Sequence, residues 1–334
     1  MLTPTNWKDY ELIDSGDGMK LERWGKYVLA RPDPQTLWQK ERPELWNTAV
    51  GVYTRSTSGG GSWRFTKELP ERWKISYKLE GEAFLMPKAS PSSLSFWVRP
   101  TDFKHTGLFP EQAVNWGWLR DTIGARSLEL GVGAEKISVL NLFAYTGAAT
   151  VACASAGARV THVDASKGVV TWARENLELN QASPLTPPRK GRETLKNPPS
   201  PSERGQGGEV SVRWIVDDVF KFVEREAKRG VKYDGIIMDP PSYGRGTKGE
   251  TWKIEKMLWP LVKECVTVLS DKPLFFLINS YTSGLPATVM SNLLESAMKG
   301  KGGSVHSEEL GLKGSATGRI LPAGVTARWQ QKSS

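Results

Sequence analysis

The sequence predicts an α/β protein in which a parallel sheet, with helices on both faces, follows a smaller β-rich region. Three observations lead there. From Ile137 onward, apolar strand-like runs alternate with helical segments in five successive units. Up to about Trp118 the chain carries nine of its fourteen tryptophans and short alternating runs broken by turn signals. After Gly302 two more strand-like stretches follow with no helix between them.

In the front region, "GKYVLARP" and "AVGVYTR" alternate like strands, and "SGDG" and "SGGGS" interrupt them. The pattern predicts small antiparallel structure whose tryptophans pack a core or an interface, although such residues also stack on bases in some nucleic-acid binders. The expected boundaries are a β-rich region over residues 1–100, with substrate binding as its candidate role, and a larger domain over 101–334. Within the latter, "ISVLNLF" precedes the helix "GAATVACASAG", "RVTHVD" precedes "KGVVTWARENLELN", and "VRWIV" precedes "VFKFVEREAKRG". "YDGIIMD" then leads to "WKIEKMLWPLVKECVTVL", and "PLFFLIN" to "PATVMSNLLESAMKG". Residues 182–208 interrupt the series with proline, glycine and charge but no apolar periodicity, which predicts a disordered insertion. The final stretches "GSVHSEELGL" and "GRILPAGVTARW" predict an antiparallel pair closing the sheet.

Composition narrows the setting. Two cysteines, Cys153 and Cys265, sit in apolar-periodic segments, as buried thiols of a reducing compartment do. The opening residues lack a secretory pattern and no apolar run approaches spanning length, so a soluble, cytoplasmic protein is expected. Three histidines without ligand-like spacing give a metal site no support. A net charge of +9 favours a polyanionic partner without naming one.

In open parallel sheets, ligands bind beyond the carboxyl ends of the strands, and here those ends carry the informative residues. The first ends "VLNLFAYTG", where Gly147 at the strand-to-helix turn permits close approach of a ligand. The second ends at Asp164, placed to accept from both hydroxyls of a ribose. The third brings Asp218, which can accept from an adenine amino group or cap the next helix. The fourth ends at Asp239 within "YDGIIMDPPSYGRG". A nicotinamide dinucleotide needs a Gly-x-Gly-x-x-Gly turn for its pyrophosphate, and "FAYTGAAT" offers one glycine. "GVGAEK" lacks the last glycine and precedes its strand. A ligand with ribose and adenine but no phosphate suits the site, which is the chemistry of S-adenosylmethionine.

The segments "FKHTGLFPEQAVNWGWL", "VLNLFAYTGAAT", "THVDASKGVVTWARENLELN" and "DDVFKFVEREAKRGVKYDGIIMDPPSYGRG" resemble class I S-adenosylmethionine-dependent methyltransferases. The group they resemble is that of the bacterial ribosomal RNA large subunit methyltransferases, which make 5-methylcytosine or 7-methylguanine. The resemblance implies a Rossmann-like sheet of strand order 3-2-1-4-5-7-6. It implies that the loop "HTGLFPEQ" folds over the cofactor, with Gly107, Phe109 and Gln112 near its adenosyl or methionine part. Asn141, Phe143, Tyr145 and Gly147 would wall the methionine side, Asp164 with Ser166 would hold the ribose, and Asp218 would face the adenine. Asp239 would lie nearest the transferred methyl. Asp239, Pro240 and Pro241 would supply acceptors for an amino or ring N–H, and Tyr243 a face for a planar base. Arg245 and Lys248 are the nearest candidates for phosphate contacts.

One departure from the family bears on the target atom. Methylating C5 of cytosine needs a thiolate that adds at C6, and 5-methylcytosine relatives carry a cysteine just beyond the fourth or fifth strand. Here the fifth strand ends "LINSYTSG", with Asn279, Ser280 and Tyr281 and no cysteine. A nitrogen target on RNA, ribosomal RNA above all, is therefore expected. A small-molecule or protein methyltransferase and a non-catalytic RNA-binding module are the alternatives.

Overall fold

The computed structural model describes residues 1–56, 60–79, 91–131, 133–181, 211–245 and 251–332, so the insertion predicted over 182–208 lies outside the described residues. The chain opens with β1 (Tyr10–Gly16), β2 (Met19–Trp24), β3 (Tyr27–Pro32), β4 (Gly51–Arg55) and β5 (Gly61–Phe65), which form one sheet in that order. Its pairs are antiparallel except β3 with β4. β6 (Trp73–Lys78) and β7 (Ser93–Val98) form a separate antiparallel pair. Then come α1 (Ala113–Leu130), β8 (Ser138–Leu142), α2 (Ala148–Ser155), β9 (Arg159–Asp164), α3 (Lys167–Gln181), β10 (Val212–Val216), α4 (Val219–Lys228) and β11 (Gly235–Met238). Short β12 (Tyr243–Arg245) and β13 (Thr251–Lys253) pair before α5 (Ile254–Thr267), β14 (Phe275–Ser280), α6 (Ala287–Ala297), β15 (Gly303–Lys313) and β16 (Ile320–Gln331).

The large sheet runs β10-β9-β8-β11-β14-β16-β15, which is the order expected for this fold, with β16 antiparallel to both of its neighbours, β14 and β15. Strand order reverses between β8 and β11, so a crevice opens beyond their carboxyl ends. The central strands are apolar throughout because both faces are covered. Val139, Ile237, Phe275 and Leu277 pack in one cluster with Trp116, Leu119 and Ile123 of α1. Their sequence neighbours Leu140, Ile236, Phe276 and Ile278 point to the opposite face and join Phe222, Leu258 and Met290 from α4, α5 and α6.

The first cluster continues into the front region through Leu12, Trp24, Ile75 and Phe96, so one core serves both regions. Burial of each such side chain contributes roughly 1.5–3 kcal/mol. The edge of β7 is satisfied by a helix instead of a strand. Asn180 and Asn176 of α3 accept the Ser95 and Trp97 N–H groups, each at 2.9 Å. In the front sheet, Glu22 is fully buried and holds Arg31 in a two-pronged pair at 2.6 and 2.8 Å while accepting the Tyr10 hydroxyl. Burial alone would raise Glu22, yet Arg31 and Lys20 outweigh it and bring the carboxyl down to about 2.

The helix expected to start at Trp252 starts instead at Ile254. Trp252 and Lys253 pair with Tyr243 and Gly244 in the β12–β13 ribbon, an assignment that the apolar periodicity did not reveal. No helix among the described residues is long and apolar enough to cross a membrane.

Candidate active site at the carboxyl ends of the strands

The turn after β8 carries the most constrained backbone of the site. Phe143 and Tyr145 both adopt left-handed φ values, 52° and 49°, a conformation that residues with a Cβ rarely hold without a local reason. Gly147 ends the turn at φ 82°, and an added Cβ would sit 2.8 Å from that of Ala173. Asp164, at the end of β9, fixes the turn by accepting the Tyr145 N–H on Oδ2 at 2.9 Å. Its Oδ1 accepts the Ser166 N–H, also at 2.9 Å. Each oxygen retains a lone pair for a ligand hydroxyl. Burial raises the Asp164 carboxyl although the two backbone N–H groups oppose it.

A cavity of about 650 Å³ opens beyond these ends, within the usual range of ligand sites. Asp164, Asp218 and Asp239 line it from three successive strand ends, and Phe109, Phe143, Tyr145 and Tyr281 wall it. A smaller recess of about 60 Å³ shares Phe109, Phe143, Tyr145 and Asp239 with it and is closed by Gln112, Asn141 and Gly147. Pro240 and Pro241 also face the large cavity. Asp218 caps α4 by accepting the Lys221 N–H at 2.9 Å, so it does the capping that its position allowed while still bordering the cavity. Asn141 donates to Thr150 at 2.9 Å from the floor of the recess.

Three expected residues stand elsewhere. Tyr243 lies on β12, 51% exposed, and does not line the cavity; the ribbon turns it outward and turns Trp252 in. Trp252 donates to the Pro241 carbonyl at 2.5 Å and lies 5.1 Å from the Phe143 ring, so it is the aromatic ring of the ribbon that borders the cavity. Gly107 sits behind the pocket, where its carbonyl accepts from Thr146 and an added Cβ would strike the Trp172 ring at 2.3 Å. Ser166 acts through its backbone on Asp164 and borders neither cavity. Lys248 lies outside the described residues, as does the Arg245 side chain.

Asp239 has the most altered chemistry. Among the described residues no side-chain hydrogen bond reaches its carboxyl, and burial followed by repulsion from Glu111 raises it to about 7. Glu111 is itself buried and raised. The Tyr281 hydroxyl bonds Glu111, accepts from Gln112 Nε2 at 2.7 Å and shares the large cavity with Asp239. Gln112 Oε1 in turn accepts from Asn115 at 2.7 Å, Asn115 also donates to Asn279 at 3.0 Å, and Arg328 of β16 donates to Asn115 Oδ1 at 2.8 Å. Sequence reasoning missed Glu111 and Asn115, which stand inside "FPEQAVN" beside the residue it chose. Their signal, polar residues at the start of an otherwise apolar helix, is too common to be distinctive.

Cys153 and Cys265 are fully buried in the two apolar clusters, on α2 and α5, and burial pushes both thiols up. Neither lines either cavity. No cluster of metal-ligating side chains occurs among the described residues.

No family model matches the chain. Among curated proteins, "Ribosomal RNA large subunit methyltransferase K" of Neisseria meningitidis is 24% identical over 270 residues, 80% of this chain and 64% of that protein. "Ribosomal RNA large subunit methyltransferase K/L" of Syntrophotalea carbinolica is 34% identical over 157 residues, 47% of this chain. The chain thus spans under two thirds of the first relative's length and 16% of the second's. Among solved structures, a methyltransferase from Streptococcus mutans superposes with a TM-score of 0.66 at 17% identity, covering 98% of this chain and 76% of its own, a likeness of fold. The SAM-dependent methyltransferase from Agrobacterium tumefaciens superposes with a TM-score of 0.78 at 35% identity, covering 99% of this chain and 93% of that one. With that identity over nearly the whole of both chains, this protein belongs to the S-adenosylmethionine-dependent methyltransferases.

Proposed function

We propose that this enzyme methylates a nitrogen atom of a ribosomal RNA base. The observation that carries the reading is the Asp239 carboxyl, free of side-chain partners among the described residues and raised to about 7 where two cavities meet, with both cysteines buried away from it. The names of the curated relatives and the net charge of +9 support RNA as the substrate. A relative of the same fold was solved with SAH bound.

The residues present fit the cofactor. Asp164 offers lone pairs to the ribose hydroxyls, Asp218 and Phe220 border the place of the adenine, and the recess bounded by Gln112, Asn141 and Gly147 suits the methionine end. Gly107 and Gly147 let their loops pack closely against Trp172 and Ala173 of α3. S-adenosylmethionine supplies an activated methyl on a sulfonium, so the protein's task is to align the acceptor atom and exclude water. Trp252, Phe143 and Tyr281 offer aromatic faces to hold a base extruded from its stack. Asp239, with the Pro240 and Pro241 carbonyls, accepts an N–H of the base; a target nitrogen that carries a hydrogen gives that proton to Asp239 as it gains the methyl group, whereas a lone-pair ring nitrogen such as guanine N7 releases none. A C5 route would need a thiolate within reach of the base.

The test uses ribosomal RNA from a strain lacking this gene as acceptor for tritiated S-adenosylmethionine, followed by mass spectrometry of the nucleosides. One new N-methylated nucleoside is expected. No transfer, or 5-methylcytosine as the product, would overturn the reading.

A further inference from the structure

A second cavity of about 640 Å³ lies on the other side of Phe109, between the front sheet and the catalytic sheet. It shares His105, Phe109 and Tyr281 with the active-site cavity, so one aromatic partition walls both. The Phe109 ring lies 5.4 Å from His105 and 5.3 Å from Tyr281. Three cations from the front of the chain, Lys20, Arg31 and Lys104, border this second space. Two are neutralised: Arg31 by Glu22, and Lys20 by Asp33 at 3.3 Å. Lys104 is not.

The half-buried Lys104 ammonium donates to the Pro32 carbonyl at 3.3 Å and makes no ion pair among the described residues. Burial, then the nearby Lys20, Arg55 and Arg31, lower it to about 8 despite Asp33. Confined cations gathered around one unpaired ammonium disfavour its charge unless an anion joins them. Glu111 and Glu309 also border the cavity, but Glu111 is raised and bonded to Tyr281. His105 is lowered to about 4, so near neutrality it offers an uncharged ring. An uncharged aromatic wall beside an unpaired cation matches the chemistry of a nucleotide.

We propose that this cavity receives the nucleotide adjoining the target base in single-stranded RNA, with its phosphate on Lys104 and its base against the His105 and Phe109 rings. The proposal rests on the RNA reading above and makes the front sheet, through Lys20 and Arg31, one wall of the space that holds substrate. It also explains why the two spaces share a wall, since neighbouring nucleotides on one strand must enter side by side.

The test measures binding of a fluorescein-labelled, mixed-sequence oligoribonucleotide of ~12 nucleotides by anisotropy across a salt series. S-adenosylhomocysteine is present throughout. Lys104→Gln should weaken binding about tenfold and reduce the salt slope by about 0.7, the share of one phosphate contact on a single strand. Lys104→Arg should stay within about twofold of wild type because it keeps the charge. Calorimetric affinity for S-adenosylhomocysteine and the melting temperature should be unchanged in both. Wild-type affinity and slope in Lys104→Gln would overturn the subsite while leaving the RNA reading standing. A wild-type protein that binds S-adenosylhomocysteine but not the oligonucleotide would overturn both. Loss of cofactor affinity or of melting temperature in Lys104→Gln would assign the lysine a structural part and likewise overturn the subsite.

Discussion

Replacing Asp239 by asparagine removes a carboxyl whose ionisation the folded protein resists. Burial, and then the facing Glu111, raise it from the ordinary 3.8 to about 7. The unfolded chain releases this proton near 3.8, so as pH climbs from there to about 7 the folded state loses stability relative to the unfolded one, and above about 7 the loss is complete. That difference corresponds to at most about 4 kcal/mol, and water in the open cleft brings the expected gain from removing the charge to about 2 kcal/mol. Asparagine keeps the side chain's shape and cannot ionise. The cofactor-free Asp239→Asn protein should therefore melt about 4 °C above wild type near pH 8 and level with it near pH 4. Its methyl transfer should fall by a factor on the order of 10² or more because the proton acceptor is gone. Calorimetric melting of both proteins across this range decides the matter. A gain of the same size at both ends of the range, or none at the alkaline end, would refute the claim that the fold raises the Asp239 carboxyl.

Glu111→Gln removes the charge facing Asp239, so the rise of activity with pH should move to lower pH, read from the pH profile of kcat. Asp164→Ala deletes the acceptor proposed for the ribose and frees the Tyr145 and Ser166 N–H groups, and S-adenosylmethionine affinity should fall about a hundredfold by calorimetry. Cys153→Ala with Cys265→Ala should cost on the order of 1 kcal/mol of stability per site and leave turnover largely intact when assayed well below the melting point. Turnover lost by orders of magnitude would point to thiol chemistry. Glu22→Ala leaves Arg31 buried without its partner and should cost about 3–5 kcal/mol in chemical denaturation.

Most of the sheet was legible because continuously apolar strands alternating with helices leave few alternatives, and the strand ends carried Asp164, Asp218 and Asp239 in sequence. What stayed hidden depends on pairing across gaps. Trp252 reads as the start of a helix until β13 is seen to pair with β12, and that pairing exchanges it with Tyr243 at the cavity wall. The Asn115 to Arg328 contact joins positions more than 200 residues apart, and neither residue has a neighbour in sequence that announces it. The shared core was equally invisible, since the boundary placed near residue 100 follows texture, whereas Leu12 and Phe96 pack in the same cluster as Val139.

The chain of contacts from Tyr281 through Gln112 and Asn115 to Arg328 has a consequence for synthesis. β16 inserts between β14 and β15, so a strand translated after both of its sheet neighbours occupies an interior place. A nascent chain that has emerged only as far as α6 has all its proposed cofactor residues, yet Asn115 lacks the guanidinium that anchors it and β14 has an open edge. Competence should therefore arrive late and abruptly, as β16 zips in. A ribosome stalled before Arg328 would display a polypeptide with the cofactor-binding motifs complete and the wall around Asp239 still unset.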